Sequence, residues 1–122
     1  MKGYTTLGTN DLGRASKFYD ELLSEIGGGR VMENDRMVMW GTGEDKPTVA
    51  VLLPFDGQPA TVGNGSMLGI SCASHEEVDR VHAKALALGA QNEGAPGNRT
   101  DAFYGGYIRD LDGNKLVFFK MG

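Results

Sequence analysis

The sequence predicts an α+β fold built from two β-α-β-β-β modules within one domain. Two observations predict it: each half carries an amphipathic helical stripe after a short β-prone run, and the chain ends in a strong β-hairpin signal. The 122 residues are enough for one domain with a substantial core. We expect the first module at about 1–56, a linker at about 57–65 and the second module at about 66–122.

The first module begins with a β-prone run at 4–9 and a helix that Asn10 or Asp11 caps. Apolar residues then recur at three- and four-residue spacing, which gives the helix one stripe that can pack on a sheet. The stripe consists of Leu12, Ala15, Phe18, Tyr19, Leu22, Leu23 and Ile26. The glycines at 27–29 end the helix, because glycine readily takes the left-handed conformation of a C-terminal cap. The strands expected after it are 30–33, 36–42 and 48–54.

The second module repeats this order. A strand at 66–72 precedes a capping box, in which Ser74 caps a helix and Glu77 bonds back to the cap. The apolar stripe of this helix is Val78, Val81, His82, Ala85 and Leu88. Residues 90–101 contain Pro and Gly without periodicity, so we expect a loose stretch there before the terminal hairpin.

The terminal stretch, 108–119, is the strongest local signal in the chain. An Asp-x-Asp-Gly-Asn turn lies between two runs rich in β-branched and aromatic residues. Gly113 or Asn114 can take the positive φ that such a turn needs, and Asp110 and Asp112 can hydrogen-bond the amides of the turn. We therefore interpret the two aspartates as turn formers rather than as a catalytic carboxylate pair.

The composition is that of an ordinary globular protein with a mild acidic excess. Apolar residues make up 40% and charged residues 23%, and the net charge is −4. The 12 Lys and Arg are scattered among 16 acids, so we expect no nucleic-acid binding. No apolar run approaches the roughly 20 residues that span a bilayer, and no leader is recognisable, so we expect a cytoplasmic protein without membrane binding. The single cysteine, Cys72, excludes an intrachain disulfide and a Cys-based zinc site.

The terminal hairpin and the run Asn10-Asp11-Leu12 followed by Phe18-Tyr19 resemble the vicinal-oxygen-chelate superfamily of glyoxalases, bleomycin-resistance proteins and extradiol dioxygenases. The resemblance implies a glyoxalase/bleomycin-resistance-like fold, in which each half curls its sheet into part of an open cup with the helices outside. It also implies a homodimer, because a second subunit commonly completes the half-cups in this superfamily. Leu111 stands where the family's turn has Pro, and Val117 stands where the family has a metal-binding Glu.

The resemblance also implies where a metal would be held. Metal-binding members carry one ligand on the first and one on the last strand of each half, drawn from His, Gln and Glu. Carried over to this chain, three of the positions fall on Tyr4, Met67 and Val117, and the fourth lies within 49–53, where no ligand type occurs. A phenol, a thioether and an aliphatic chain are poor ligands for the usual divalent ions, so we expect neither a metal nor another cofactor.

We expect ligand-binding side chains on the inward face of the strands. By strand alternation the candidates are Tyr4, Thr6, Trp40, Met67, Gly69, Tyr107, Lys115, Val117 and Phe119. Two choices stay open: Phe103 or Tyr104, and the pair Met37 and Met39 or the pair Val38 and Trp40. A concave surface rich in aromatic and Met side chains favours a flat or amphipathic small-molecule ligand.

Three functions are consistent with this site. The first is a metal-independent protein that sequesters a small molecule. The second is a glyoxalase-like lyase or isomerase, or a dioxygenase, that uses atypical metal ligands. The third is a metal-free enzyme in which Tyr4 or Tyr107 acts as an acid with Lys115 nearby. Arg99 is expected either to be solvated or to meet an anionic group.

Several reactive side chains are expected outside the site. His75 is predicted to be solvated in the first turn of the second helix, and His82 to lie on the outer side. Cys72 is predicted to be an inert buried thiol on the helix-packing face of its strand. The expected rims of the site are the loops at 55–64 and 94–101.

Overall fold

The computed structural model describes residues 3–43 and 47–122, without the side chain of Pro47. This part of the chain folds into two four-stranded sheets, each with one helix, and so confirms the α+β prediction. In chain order the elements are β1 (Thr5–Gly8), α1 (Leu12–Ser24), β2 (Gly29–Glu33), β3 (Met37–Gly41), β4 (Pro47–Leu52), β5 (Leu68–Ser71), α2 (His75–Ala87), β6 (Gln91–Thr100), β7 (Phe103–Arg109) and β8 (Lys115–Met121).

The chain forms two compact units, the first ending at Val62 and the second beginning at Gly63. This boundary lies inside the segment 57–65 that the sequence assigns to the linker. In each unit the sheet is open rather than closed on itself, with four strands of which two are edges. Within the described ranges, neither helix has the length and apolarity that crossing a bilayer requires. The cytoplasmic location stays a prediction.

Helix α1 begins at one of its two predicted caps. The Asp11 carboxylate accepts the backbone N–H of Arg14 at 3.0 Å, which satisfies a donor that the first helical turn leaves free. The middle of the predicted stripe, Ala15 to Leu23, is buried, with Tyr19 and Leu22 almost fully inaccessible, while Leu12 and Ile26 at its ends are partly exposed. The chain leaves the helix through Gly27, whose φ of +80° is the left-handed conformation expected of a glycine at this point.

Helix α2 begins with the predicted capping box. The Ser74 hydroxyl accepts the N–H of Glu77 at 3.1 Å, and the Glu77 carboxylate accepts the N–H of Ala73 at 2.9 Å. The reciprocal bond therefore reaches one residue before the cap rather than the cap itself. Gly89 ends the helix with a φ of +104°.

The two sheets have the same topology. The first has the order β1-β4-β3-β2 and the second β5-β8-β7-β6, and in each the first strand of the unit pairs in parallel with the last. The remaining neighbours are antiparallel. Because registered partners share a face of the sheet, these pairings decide which side chains meet the helix.

Residues 91–100 form strand β6, so the prediction of a loose stretch there is wrong. The strand pairs with β7 through a register that shifts three times between residues 92 and 100. Such bulges remove the alternation of polar and apolar residues by which a strand is recognised in a sequence. Pro96 is tolerated because β6 is an edge strand. The expected rim loop at 94–101 is therefore mostly strand.

The turn between β7 and β8 is organised by the Asp110 carboxylate. Its Oδ1 accepts the N–H groups of Asp112 and Asn114 at 2.9 Å each, and its Oδ2 accepts the Asn114 side-chain amide at 3.1 Å. Gly113 takes the positive φ, +91°, so the alternative with Asn114 in that role is wrong. The prediction that Asp110 forms the turn is confirmed.

Candidate functional site

One face of each sheet is covered by the helix of its own unit, and we call the opposite side the far face. The first far face consists of Thr6, Gly8, Met32, Met37, Met39, Ala50 and Leu52. The second far face consists of Gly69, Phe103, Gly105, Tyr107, Arg109, Lys115, Val117 and Phe119. These are the two surfaces that the sequence predicts to line the site.

In the first unit, Trp40 identifies the helix side of the sheet. Its indole N–H donates to the Asp20 carboxylate on α1 at 2.9 Å, and its ring lies 5.5 Å from that of Tyr19. Trp40 is fully buried there. Trp40 therefore does not lie on the inward face that the sequence predicts for it, and of the two open alternatives Met37 and Met39 are on the far face.

In the second unit, β7 meets α2 through its even-numbered residues. The Tyr104 hydroxyl donates to Asp79 on α2 at 2.6 Å, and a Cβ added to Gly106 would lie 3.0 Å from the His82 ring. Strand alternation then places Phe103, and not Tyr104, on the far face together with Tyr107.

The register also identifies the fourth position of the family's metal-ligand set. Thr6 and Gly69 each lie two residues after the ligand position of their strand. Thr6 pairs with Ala50 as Gly69 pairs with Val117. The first-unit equivalent of Val117 is therefore Ala50, within the predicted range 49–53.

The residues at the four positions do not fit the metal that the family's ligand set implies. Tyr4 and Met67 are 53% and 51% exposed, while Ala50 and Val117 are buried. None is a His, Gln or Glu, the donors that the family uses. Across the described residues, moreover, no group of three or more His, Cys, Asp or Glu side chains is arranged to hold an ion. The polarising chemistry of a divalent ion therefore has no donor set at these positions.

The second far face has two aromatic rings that lie over glycine residues of the sheet, and we call the rings of Phe103 and Phe119 the aromatic floor. The rings of Phe103 and Phe119 are stacked, with centroids 5.2 Å apart and planes 13° from parallel. A Cβ added to Gly105 would lie 2.8 Å from Phe103 Cε2, and one added to Gly69 would lie 3.3 Å from Phe119 Cε1. A larger residue at either position would require the ring to shift, so glycine lets the rings lie this close to the sheet. Both rings stay partly exposed, whereas Val117 beside them is 2% exposed.

Two cations lie against the Tyr107 ring. The Arg99 guanidinium carbon is 5.2 Å and the Lys115 ammonium nitrogen 5.6 Å from its centroid. Arg99 also donates to the backbone carbonyls of Ala95 at 2.7 Å and Gly97 at 3.0 Å. The carbonyls fix the guanidinium near the tyrosine ring without neutralising its charge.

The remaining charges of this face are an internal pair. Arg109 Nε lies 2.9 Å from Glu93 Oε1, and its Nη1 donates to the Gly113 carbonyl at 3.0 Å. Among the described residues, no carboxylate pairs with Arg99 or Lys115. Three cations and one carboxylate leave this region with two positive charges in excess, although the whole chain has a net charge of −4.

The histidines and the cysteine lie away from the second far face. His75 is exposed and stacks on Tyr104 with centroids 4.0 Å apart. His82 is buried, and its Nε2 lies 3.2 Å from the Tyr107 carbonyl oxygen, to which it donates when Nε2 carries the proton. Cys72 is buried as predicted, and burial raises the pKa of its thiol to about 11.

The first unit has a groove of its own, with a volume of about 540 Å³. It is lined by Thr9, Asn10, Arg36, Leu53, Pro54, Phe55, Gly57, Gln58 and Pro59. Phe55 is 90% exposed, and the Arg36 guanidinium lies 5.3 Å from its ring centroid while donating to the Leu53 carbonyl. The groove includes part of the predicted rim at 55–64 and is a second candidate location for a ligand.

The structure brings together only some of the predicted site residues. Four lie on the second far face: Tyr107, Lys115, Val117 and Phe119. Tyr4 and Thr6 belong to the first unit, and Met67 immediately precedes β5. The sequence does not predict the contact of Arg99 with Tyr107, because it predicts a loop where β6 lies. It also does not single out Gly105, although a pair of glycines inside a strand indicates the close approach of another group.

Comparison with known proteins supports both the fold and the repeat. A structure of a glyoxalase/bleomycin resistance protein from Albidiferax ferrireducens T118 is 38% identical, covers 98% of this chain and 97% of its own, and superimposes with a TM-score of 0.87. A putative glyoxalase from Bacillus halodurans is 19% identical over 98% of this chain and 95% of its own, with a TM-score of 0.79.

A lactoylglutathione lyase from Agrobacterium tumefaciens is 21% identical over 98% of this chain and 92% of its own, with a TM-score of 0.72, and shares the fold. No curated protein matches the chain. The family model for the glyoxalase/bleomycin resistance protein/dioxygenase superfamily matches residues 3–118. The chain therefore belongs to the glyoxalase/bleomycin resistance protein/dioxygenase superfamily.

Proposed function

We propose that this chain is a metal-independent protein that binds and sequesters a small molecule on its second far face. The observation that carries the proposal is the set of side chains at the four ligand positions, Tyr4, Ala50, Met67 and Val117. The unit that contains Met67 and Val117 also has an aromatic surface with partly exposed rings. Aromatic and apolar linings with a few polar groups are typical of small-molecule sites.

The aromatic floor alone supports weak binding. A flat ligand that covers ~150 Å² of apolar surface gains about 4 kcal/mol at roughly 25 cal/mol/Å². Even without the entropic cost of association, a free energy of that size corresponds to a dissociation constant no tighter than about 1 mM. Tighter sequestration requires either charged contacts from Arg99 and Lys115 or a second surface that covers the ligand.

Metal content tests the proposal. Untagged protein is equilibrated with nickel, zinc, manganese and ferrous iron in turn, desalted, and measured by inductively coupled plasma mass spectrometry. We expect retained metal far below one ion per chain, because no donor set is present at the four positions. Near-stoichiometric retention would contradict the proposal and would favour a lyase, isomerase or dioxygenase that uses atypical ligands.

A designed variant provides the positive control for this measurement. The pair Met67→His and Val117→Glu places one of the family's donor types just before β5 and another on the neighbouring strand β8. We expect nickel to raise the melting temperature of this variant and to leave both the wild type and a Met67→Leu, Val117→Leu control unchanged. A folded donor variant that does not respond to nickel would show that the ligand positions are misassigned.

A metal-free enzyme is the second candidate function, and Tyr107 is the observation that favours it. Its ring lies beside two cations on a partly exposed surface, where a phenol can act as an acid. For any compound that the protein binds and converts, Tyr107→Phe should abolish turnover and preserve binding. The same test applies to Tyr4→Phe, and turnover that survives both substitutions would exclude a tyrosine acid.

We also propose that the protein is a homodimer. Among the described strands, each sheet has two edge strands that pair with a neighbour on one side only, β1 and β2 in the first sheet and β5 and β6 in the second. A second copy of the chain is the simplest partner for such edges in this family. Light scattering after size-exclusion chromatography should give the mass of two chains, and a mass of one chain at all concentrations would contradict this.

A further inference from the structure

Resting on the proposed function, we infer that the ligand of the second far face is a small planar aromatic anion, such as a bicyclic aromatic carboxylate. Its ring covers Phe103 and Phe119, and its anionic group meets Lys115 and Arg99. The inference deepens the proposed function by naming the ligand class, and it rests on the charges and spacing of this face.

The charge of the face selects an anion. Within the described part of the chain, the Lys115 ammonium group has no carboxylate partner, and the Arg99 guanidinium contacts backbone carbonyls and the Tyr107 ring but no carboxylate. Glu93, the acid nearest in the register, is bound by Arg109. A cationic ligand would therefore meet repulsion that no carboxylate of this face offsets, whereas an anion meets two cations already directed at one ring.

The floor selects a planar ring. The Phe103 and Phe119 rings are close to parallel, and they lie over Gly105 and Gly69, where no side chain rises from the sheet. Stacking on such rings favours a flat aromatic group over a bulky aliphatic one of equal area. A branched aliphatic anion would meet the same charge but would lose this contact.

The order of the residues along β7 and β8 sets the length of the ligand. The register places Gly105 with Phe119, then Tyr107 with Val117, then Arg109 with Lys115. Successive pairs on one face are about 7 Å apart. Because the Lys115 side chain bends back over Tyr107, its ammonium group is about one step from the aromatic floor. A bicyclic aromatic ring with a directly attached carboxylate spans that step.

The test compares three naphthalene compounds of one shape and different charge by isothermal titration calorimetry on the full chain with EDTA. The compounds are 2-naphthoate, 2-naphthalenemethanol and 2-naphthylmethylammonium. A charge-assisted hydrogen bond is strong enough to increase affinity about tenfold. We expect 2-naphthoate to bind about tenfold more tightly than the neutral alcohol, and the ammonium compound to bind most weakly.

Matched variants assign that preference to the face. Lys115→Met keeps the length and apolar body of the side chain and removes its charge, and should reduce naphthoate affinity by about tenfold and alcohol affinity by much less. Lys17→Met removes an exposed charge from α1 in the first unit and should change neither affinity.

The two possible failures are distinguishable. Equal affinity for naphthoate and the alcohol, with no effect of Lys115→Met, would overturn the anion inference and leave the sequestering function standing. No binding of any of the three compounds would overturn the anion inference and also remove the support for a ligand site on this face.

Discussion

The two units of this chain have the same topology and bury similar helix sides, but their far faces differ in chemistry. On the helix sides, Trp40 in the first unit and Phe118 in the second are both completely buried. The first far face is aliphatic, with three methionines, whereas the second combines stacked phenylalanines with a tyrosine that two cations contact. The helix side of each sheet therefore stabilises the shared fold, while the residue types on the far face differ between the units without changing the topology.

The helices are also fixed to their sheets by different polar contacts. In the first unit, Asp20 on α1 accepts from Trp40 and pairs with Arg30 at 2.8 Å. In the second, α2 contacts β7 through Asp79 and Tyr104, and through His82 and a backbone carbonyl. Polar contacts of this kind select one orientation of helix on sheet, while apolar burial supplies most of the stability.

The largest expected effect on stability comes from substitutions at two neighbouring residues of β8. Phe118→Ala removes a fully buried ring from the helix side and should lower the free energy of unfolding by about 3–5 kcal/mol. Phe119→Ala removes a partly exposed ring from the far face and should cost about 1–2 kcal/mol while abolishing naphthoate binding. Urea unfolding of both variants checks this, and equal losses would mean that the two sides of the sheet do not divide stability from binding.

The Asp110 turn should give the next largest effect. Asp110→Ala removes the acceptor of three hydrogen bonds within a largely buried turn, so the free energy of unfolding should fall by about 1–3 kcal/mol. Asp101→Ala, an exposed acid in the turn before β7, is the control and should change stability by less than about 0.5 kcal/mol. A loss no larger than that of the control would show that the turn forms without its carboxylate.

The Asp20 contact should give a smaller, pH-dependent effect. The hydrogen bond from Arg30 holds the pKa of Asp20 below its ordinary value, although burial opposes the shift. Because the folded pKa is depressed, this stability is present above the unfolded pKa of about 3.9 and is lost as the pH falls through the folded pKa. The side chain is 39% exposed, so Asp20→Asn should cost at most about 1 kcal/mol near neutral pH.

Urea midpoints of wild type and Asp20→Asn at several pH values measure this difference. It should shrink towards zero at the acid end of the series. A difference that stays constant with pH would show that the substitution acts through packing and not through charge.

The smallest expected effect is the reactivity of the Cys72 thiol in the native protein. With a pKa of about 11, only ~0.1% of the thiol is ionised near pH 8, and the thiolate is the reactive form. A disulfide reagent should therefore modify the native protein far more slowly than the urea-unfolded protein. Equal rates in the two states would mean that Cys72 is accessible in the native fold.

The sequence predicts the fold well wherever the pattern is local. The two helix caps and the terminal turn could be predicted because their hydrogen bonds join residues close in sequence. These bonds are made by Asp11, Ser74 and Asp110. Strand β6 could not be predicted, because its pairing depends on bulges opposite β7 and not on a period of its own. Rules based on local sequence predict the structure of a segment from its own residues, and they miss structure that depends on a partner strand.

The site could be predicted only in part. Alternation correctly grouped Tyr107, Lys115 and Phe119, because β8 is regular and follows an unambiguous turn. The same rule could not decide between the two sides of β3, where Val38, Met39 and Trp40 are all buried apolar residues. The choice depended on Asp20, which lies 20 residues earlier and accepts the indole N–H.

The most direct test of the account is a titration of isotope-labelled protein with 2-naphthoate in the presence of EDTA, followed by amide chemical shifts. We predict saturable shifts centred on Gly69, Gly105, Tyr107 and Lys115, with the same affinity whether or not divalent ions are added. Shifts centred on the first-unit groove at Phe55, or binding that EDTA abolishes, would contradict a metal-independent ligand site on the second far face.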